Sequence, residues 1–324
     1  MLTVEEYRSK FLSYLDNFNS RSNPKNLYDP VSYILSLKGK RIRPILTLLT
    51  CDIFNDNYLD ALDAALAVEV FHNFSLVHDD IMDEAHIRRG NQTVHKKWDL
   101  STAILSGDVM LILAYQLFEN YKGDTFVSLA ELFSKTAIEV CEGQQMDIDF
   151  SKKEDVSAND YLKMIEYKTA VLIGASMKMG AIVAGASIKD QNNIYEFGKN
   201  LGIAFQIQDD LLDTFGEQEK FGKKIGGDIL ENKKTLLFIR AKQLLSSEEN
   251  NKLMKLYSSK LANDENKINE VRGLFEKYNI PHIIALEIEK FTNKSFKMLD
   301  DLKISDKKKE FLRDFGNSLM KRNI

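Results

Sequence analysis

The sequence predicts an all-α protein, and three observations carry that prediction. Its four prolines are Pro24, Pro30, Pro44 and Pro281, so proline interrupts nothing between residues 45 and 280. No stretch shows sustained apolar–polar alternation bounded by turn pairs, the mark of a half-buried strand. Apolar residues instead recur at helical spacing between short polar breaks.

Along the chain, helices are expected at 4–18 and 28–37, on either side of the break RSNPKN (21–26). The next, 42–54, follows the basic LKGKRIRP (37–44) and has Pro44 near its start, where a missing N–H is tolerated. The segment 58–84 carries an apolar seam, Val70, Phe74, Val77 and Ile81, spaced four, three and four. It stops before RRGNQT (88–93). Helices at 100–121 and 125–148 follow, up to the break FSKKEDVS (150–157). The apolar run 158–186 and the helix 190–215 lead to GEQEKFGKKIGGD (216–228). Shorter helices at 233–245, 247–260, 265–278, 282–301 and 305–322 complete the series. None of the breaks has the length or bias of an interdomain linker, and no repeat of solenoid length occurs. The expectation is a single large all-α domain over 1–324.

Composition narrows the function. The 324 residues carry a formal net charge of −4, with 44% hydrophobic and 28% charged residues, an ordinary soluble balance. That balance offers no electrostatic case for a nucleic-acid partner. No apolar run approaches the ~20 residues of a membrane span, so no transmembrane segment is expected. MLTVEEYRSKF is charged and amphipathic, unlike a secretory signal. Cys51 and Cys141 lie in apolar contexts and read as reduced thiols of a cytoplasmic protein.

The chemistry concentrates in LVHDDIMDEAHIRRG (76–90). On a helix of about 100° per residue, His72, Ser75, Asp79 and Asp83 fall roughly opposite the apolar seam. Asp79 and Asp83 lie one turn apart, on a face expected to be buried. Unpaired carboxylates there would suffer both desolvation and mutual repulsion, and a hard divalent cation relieves both. FQIQDDLLD (205–213) repeats the device, with Gln206, Asp209 and Asp213 spaced three and four and Gly202 one turn earlier. Two such helices could face each other across a cavity. Magnesium takes one or two carboxylates and completes its octahedron with water and phosphate oxygens, so sparse aspartate rims suit a bound diphosphate. The ligand loop of an EF-hand is missing.

A diphosphate also needs cations from the protein. Lys40, Arg41 and Arg43 precede or open one helix, and Arg88 and Arg89 follow another. Lys223, Lys224 and Lys233 flank the glycine-containing loop after the second aspartate helix. Lys168 and Thr169 lie on the apolar MIEYKTAVLIGASMKMGAIVAG, where a buried lysine needs an anionic partner. Arginine forks grip phosphate oxygens bidentately, whereas lysine acts as a point charge.

In order along the chain, GKRIRP, HNFSLVHDDIMD, RRG, TVHKKW, the GD at 107–108, EGQQMD, YKTA, FQIQDDLLD and KKIGGDILENKKT resemble the trans-type polyprenyl diphosphate synthases, most closely those making geranylgeranyl or farnesyl diphosphate. The resemblance covers residues 35–240 or so. It implies an all-α bundle of the isoprenoid synthase type around a deep central cavity, working as a homodimer. It also implies a magnesium-dependent prenyltransferase that condenses isopentenyl diphosphate with an allylic diphosphate by ionisation, condensation and elimination.

Carried onto these positions, the resemblance puts magnesium on Asp79, Asp80 and Asp83 and on Asp209, Asp210 and Asp213. Lys40, Arg43, His72 and Arg89 would hold isopentenyl diphosphate. Arg88, Lys168, Lys224 and Lys233 would hold the allylic diphosphate, and Lys168, Thr169 and Gln206 would serve at the reacting carbon. Phe74 and Ser75, five and four residues before Asp79, would set chain length. One aromatic and one serine there resemble the makers of geranylgeranyl diphosphate, with farnesyl or longer products as alternatives. The helical wheel places Phe74 nearer the apolar seam than the site face, so Met110, Leu111 or Ala114 could form the floor instead. Three other readings compete. A class I terpene cyclase would lack GKRIRP and the second Asp-rich motif, and a non-catalytic subunit of a heteromeric synthase would have lost ligand positions occupied here. A structural helical bundle with coincidental charges would gain no thermal stability from magnesium and a diphosphate.

Overall fold

The computed structural model describes residues 1–18, 22–153, 155–216, 225–258 and 264–321. Its elements are α1 (Val4–Asp16), α2 (Lys25–Ser36), α3 (Ile42–Asn55), a 3-10 turn at Tyr58–Ala61 and α4 (Leu62–Met82). A two-stranded hairpin follows, β1 (Ile87–Arg88) and β2 (Asn91–Gln92), then the single-turn α5 (Val94–Lys97), α6 (Leu100–Phe118) and α7 (Gly123–Lys152). After α8 (Ala158–Ile165) comes a π-type turn at Glu166–Ala170, then α9 (Val171–Val183) and α10 (Ile188–Phe215). The remainder is α11 (Gly227–Leu230), α12 (Leu236–Leu244), α13 (Ser247–Ser258), α14 (Asp264–Lys277), α15 (Ile280–Asp300) and α16 (Asp306–Met320). The all-α prediction holds, and among the described residues the only strands are the two of the hairpin.

The chain forms two compact units: Met1–Lys135 with Ala175–Tyr195, and Thr136–Gly174 with Glu196–Ile324. In the first, α4 is central, with α1, α2, α3 and α6 packed against it. Its Ala64–Phe71 segment is buried on every side, and its alanines keep that stretch thin enough for neighbours to close in. The Phe133 ring anchors the packing, with Phe71, Tyr115 and Phe118 at centroid distances of 5.0, 4.6 and 5.2 Å. Gly180 brings α9 onto the α3 backbone, where a side chain would strike the Thr47 carbonyl. α6 is long and apolar enough to cross a membrane by length and composition, which the run-length reading does not anticipate. Here it lies along α4 and α2.

The second unit buries Tyr161, Ile207, Leu236, Phe238, Val271 and Phe275 in one core. Ser295 Oγ donates to the Phe197 carbonyl at 2.8 Å and ties α15 to α10. Gln208 Nε2 donates to the Met320 carbonyl at 2.7 Å and ties down the end of α16. Helix starts follow capping chemistry: Ser157 Oγ accepts from Asp160 N, and Asp160 Oδ2 accepts from Ser157 N.

Boundaries differ from expectation where tertiary contacts intervene. The predicted 58–84 helix begins as a 3-10 turn, and 158–186 is divided by the π-type turn. That turn lies against two glycines. A side chain at Gly143 would collide with the Lys168 backbone, and one at Gly202 would meet the Ala170 Cα at 2.9 Å.

Candidate functional site

α4 ends at the aspartates. Asp83 is its C-cap, Glu84 takes the left-handed conformation at φ +51°, and Ala85 N–H donates back to the Asp80 carbonyl at 2.9 Å. The chain then turns through Arg89 and Gly90, both at positive φ (+53° and +78°), as a two-residue hairpin of the primed kind requires. Tyr33 Oη donates to the Gln92 carbonyl at 2.8 Å, and Thr93 Oγ1 donates to the Ala85 carbonyl at 2.7 Å. The hairpin is therefore pinned at its base, with Arg88 and Arg89 at its tip.

Of the three aspartates, Asp80 is the buried one, at 1% exposure; Asp79 is half-buried and Asp83 exposed. Arg88 Nε lies 2.8 Å from both Asp80 oxygens, and Nη2 lies 2.7 Å from Oδ1. Burial pushes the Asp80 carboxyl up, against the pull of Arg88. Burial would lower Arg88, but the hydrogen bonds and charge of Asp80 raise it. The wheel's expectation of an inward Asp79–Asp83 face is thus corrected, because Arg88 folds back and buries the carboxylate between them.

Beside this pair lies a cation cluster. Arg43 Nη1 donates to His72 Nε2 at 3.2 Å, which places that ring's proton on Nδ1. The Arg89 guanidinium lies over Gly39, about 3 Å from where a Cβ would stand, and Nη1 reaches the Leu37 carbonyl at 3.4 Å. Burial and the Arg89 charge lower Arg43 to about 10, and burial and the Arg41 charge lower Arg89. Burial, then Arg43 and the other arginines, hold His72 well below its ordinary range, so the ring is neutral at pH 7. Arg43 Nε is buried with no hydrogen-bond partner. A half-desolvated cluster of this kind could hold an anion. Lys40 is exposed at its edge.

The second unit carries the other motif on α10. Asp210 is buried at 6%; it accepts from Tyr161 Oη and, at 3.1 Å, from Gln206 Nε2. Gln206 Oε1 accepts in turn from Thr169 Oγ1 at 3.3 Å. Burial and the Asp228 charge push the Asp210 carboxyl well up. Asp209 and Asp213 are half-buried, and Asp213 Oδ2 accepts from Asp228 N at 2.9 Å. Lys168 Nζ meets Asp147 at 2.5 Å, and Lys233 meets Asp228 at 3.3 Å and Glu231 at 2.8 Å. Lys224 lies outside the described residues. No three Asp, Glu, His or Cys side chains converge on one point among the described residues.

The sequence pattern of the polyprenyl synthetase family matches residues 24–275. The chain belongs to the polyprenyl synthetase family. A geranylgeranyl diphosphate synthase of Sulfolobus acidocaldarius is 36% identical over 300 residues, 87% of this chain and 91% of that one. A geranylfarnesyl diphosphate synthase of Natronomonas pharaonis is 38% identical over 68% of this chain and 70% of its own. The crystal structure of a geranylgeranyl pyrophosphate synthase superposes with a TM-score of 0.96 at 46% identity, covering all of both chains. This polyprenyl synthetase is accordingly a prenyltransferase with the all-α isoprenoid synthase fold. Its motifs left some residues unmarked. Tyr161 carries no motif signal, Asp228 lies within KKIGGDILENKKT without a role assigned to it, and Glu69 shows only as one acid inside the apolar ALAVEVF (65–71).

Proposed function

We propose that this polyprenyl synthetase elongates an allylic diphosphate with isopentenyl diphosphate to geranylgeranyl diphosphate. The observation that carries the reading is the anion-ready cluster of Arg43, His72 and Arg89 beside the aspartates that end α4. Lys40, Arg43, His72 and Arg89 hold the isopentenyl diphosphate, whose charge offsets the desolvation these groups suffer without it.

The carboxylates divide into two kinds. Asp79, Asp83, Asp209 and Asp213 are at least partly accessible and suit magnesium, which binds one or two carboxylates at a time and fills its octahedron with phosphate oxygens and water. Bound there, magnesium supplies Lewis-acid neutralisation of the departing diphosphate. Asp80 and Asp210, expected as further metal ligands, are engaged by Arg88 and by Tyr161 with Gln206, and we assign them to orienting those groups.

Asp80 takes Nε and Nη2 of Arg88 and leaves Nη1 to donate to the allylic diphosphate. On the second unit, Lys168, Lys224 and Lys233 are the point charges assigned to the allylic diphosphate. Thr169 commits its hydroxyl proton to Gln206, so its lone pairs, not its proton, are offered to the allylic carbon as positive charge develops. No side chain is required as the base, because the released diphosphate can take the proton lost in the elimination. A second copy of the chain fits the exposed Leu105 and Ile112 on α6, seven residues apart on one face, and supports a homodimer.

The test is elongation. Purified protein is incubated with magnesium, isopentenyl diphosphate and either dimethylallyl or farnesyl diphosphate, and the dephosphorylated alcohols are chromatographed. Geranylgeraniol is expected. A shorter or longer alcohol replaces the product and keeps the reaction, whereas folded protein that elongates no primer overturns the reading.

A further inference from the structure

We infer that the buried Arg41–Glu69–Asn73 group is a positioning device, which holds the turn at residues 37–43 in the shape that directs Lys40, Arg43 and Arg89 to one diphosphate. The inference rests on the isopentenyl diphosphate reading above.

Arg41, Glu69 and Asn73 are exposed by only 5%, 1% and 0%. An ion pair this deep is a poor way to stabilise a helix bundle, since well-packed apolar residues of similar volume serve as well or better. Its geometry shows what it does instead. Arg41 sits in the left-handed conformation at φ +50°, just before α3, and turns its side chain inward. Nη1 meets Glu69, and Nη2 donates to the Leu35 and Leu37 carbonyls at 2.5 and 2.7 Å. Those carbonyls belong to the end of α2, so one guanidinium joins α2, α4 and the start of α3.

The Leu37 carbonyl also receives Arg89 Nη1, which ties the hairpin tip to the same point. Asn73 Nδ2 donates to the Glu69 carbonyl and to Glu69 Oε1, each at 2.8 Å, and so fixes the carboxylate. His72, next to Asn73 on α4, holds Arg43. With Arg41 drawn inward, Lys40 stays exposed on one side of it, and Arg43 lies against His72 on the other. The device grips both ends of the turn without touching the anion itself.

Glu69→Gln tests it, because the substitution keeps the size of the side chain and weakens its hold on Arg41. The expected result is a rise of about tenfold in KM for isopentenyl diphosphate, with KM for farnesyl diphosphate within twofold of wild type. Calorimetric titration with isopentenyl diphosphate alone should show the same tenfold loss of affinity. If Glu69→Gln does not fold, the double variant Arg41→Gln/Glu69→Gln leaves no lone buried charge and should show the same split. Unchanged isopentenyl diphosphate binding in either folded variant, or an equal rise in both KM values, overturns the inference. Wild-type protein that neither binds nor elongates isopentenyl diphosphate overturns the functional reading along with it. Wild-type activity with unmoved variants overturns the positioning role alone.

Discussion

His72 makes a measurable statement about stability. Burial first, and then the charges of Arg43, Arg89, Arg88 and Arg41, hold its folded-state pKa well below the ordinary 6.5. Above pH 6.5 the ring is neutral in both folded and unfolded chains and adds no pH dependence. Below pH 6.5 the unfolded chain takes up a proton that the folded protein refuses until its own lower pKa is reached. Stability is therefore lost as pH falls through that window. Between pH 7.5 and 5.5 the loss from this one ring reaches at most about 1.4 kcal/mol, the limit RT ln(1 + 10) at one unit below the unfolded value for a folded ring that stays neutral. His72→Gln keeps a polar acceptor for Arg43 and removes the titration. Urea unfolding of both proteins, followed by circular dichroism at each pH, isolates the difference, because carboxylates common to both cancel. Wild type should lose more than the variant, by up to about 1.4 kcal/mol. Saturating inorganic pyrophosphate should shrink that gap, since a neighbouring anion favours the charged ring. Equal losses in the two proteins refute the neutral, cation-surrounded His72.

Three further outcomes are expected. Asp79→Ala should lower turnover by at least about a hundredfold without unfolding the protein, since a carboxylate near the C-terminus of α4 opposes the helix dipole. A wild-type rate in the folded variant would remove the metal reading. Phe74→Ala removes a half-buried ring that lies edge-on to His78 at 4.8 Å, and it should lengthen the product on chromatography. An unchanged distribution moves the floor to Met110, Leu111 or Ala114. Phe133→Ala, which empties the centre of the aromatic cluster, should destabilise the protein by about 3–5 kcal/mol in denaturant titration. A loss under 1 kcal/mol would mean that the cluster repacks.

Much of this molecule is legible from local pattern. Helix content, the aspartate pairs and the basic segments depend on spacing within a turn or two, and the chain writes that spacing directly. The places where the reading slips share a physical cause. Arg89 is no turn signal, yet it adopts positive φ because the Leu37 carbonyl and the bare backbone of Gly39 hold its guanidinium from across the fold. Helix periodicity shows that Asp79 and Asp83 share a face, but Asp80 is the carboxylate that is buried, because the hairpin brings Arg88 back over α4. The π-type turn under Lys168 and Thr169 lies against Gly143 and Gly202, which come from two other helices. Arg41 and Glu69 find each other across 28 positions, and no periodicity encodes that pairing. Fold class and the inventory of charged groups are properties of the chain read locally. Which charges neutralise one another, and which stay poised for a diphosphate, follows from contacts between residues far apart in sequence, where desolvation makes each pairing decisive.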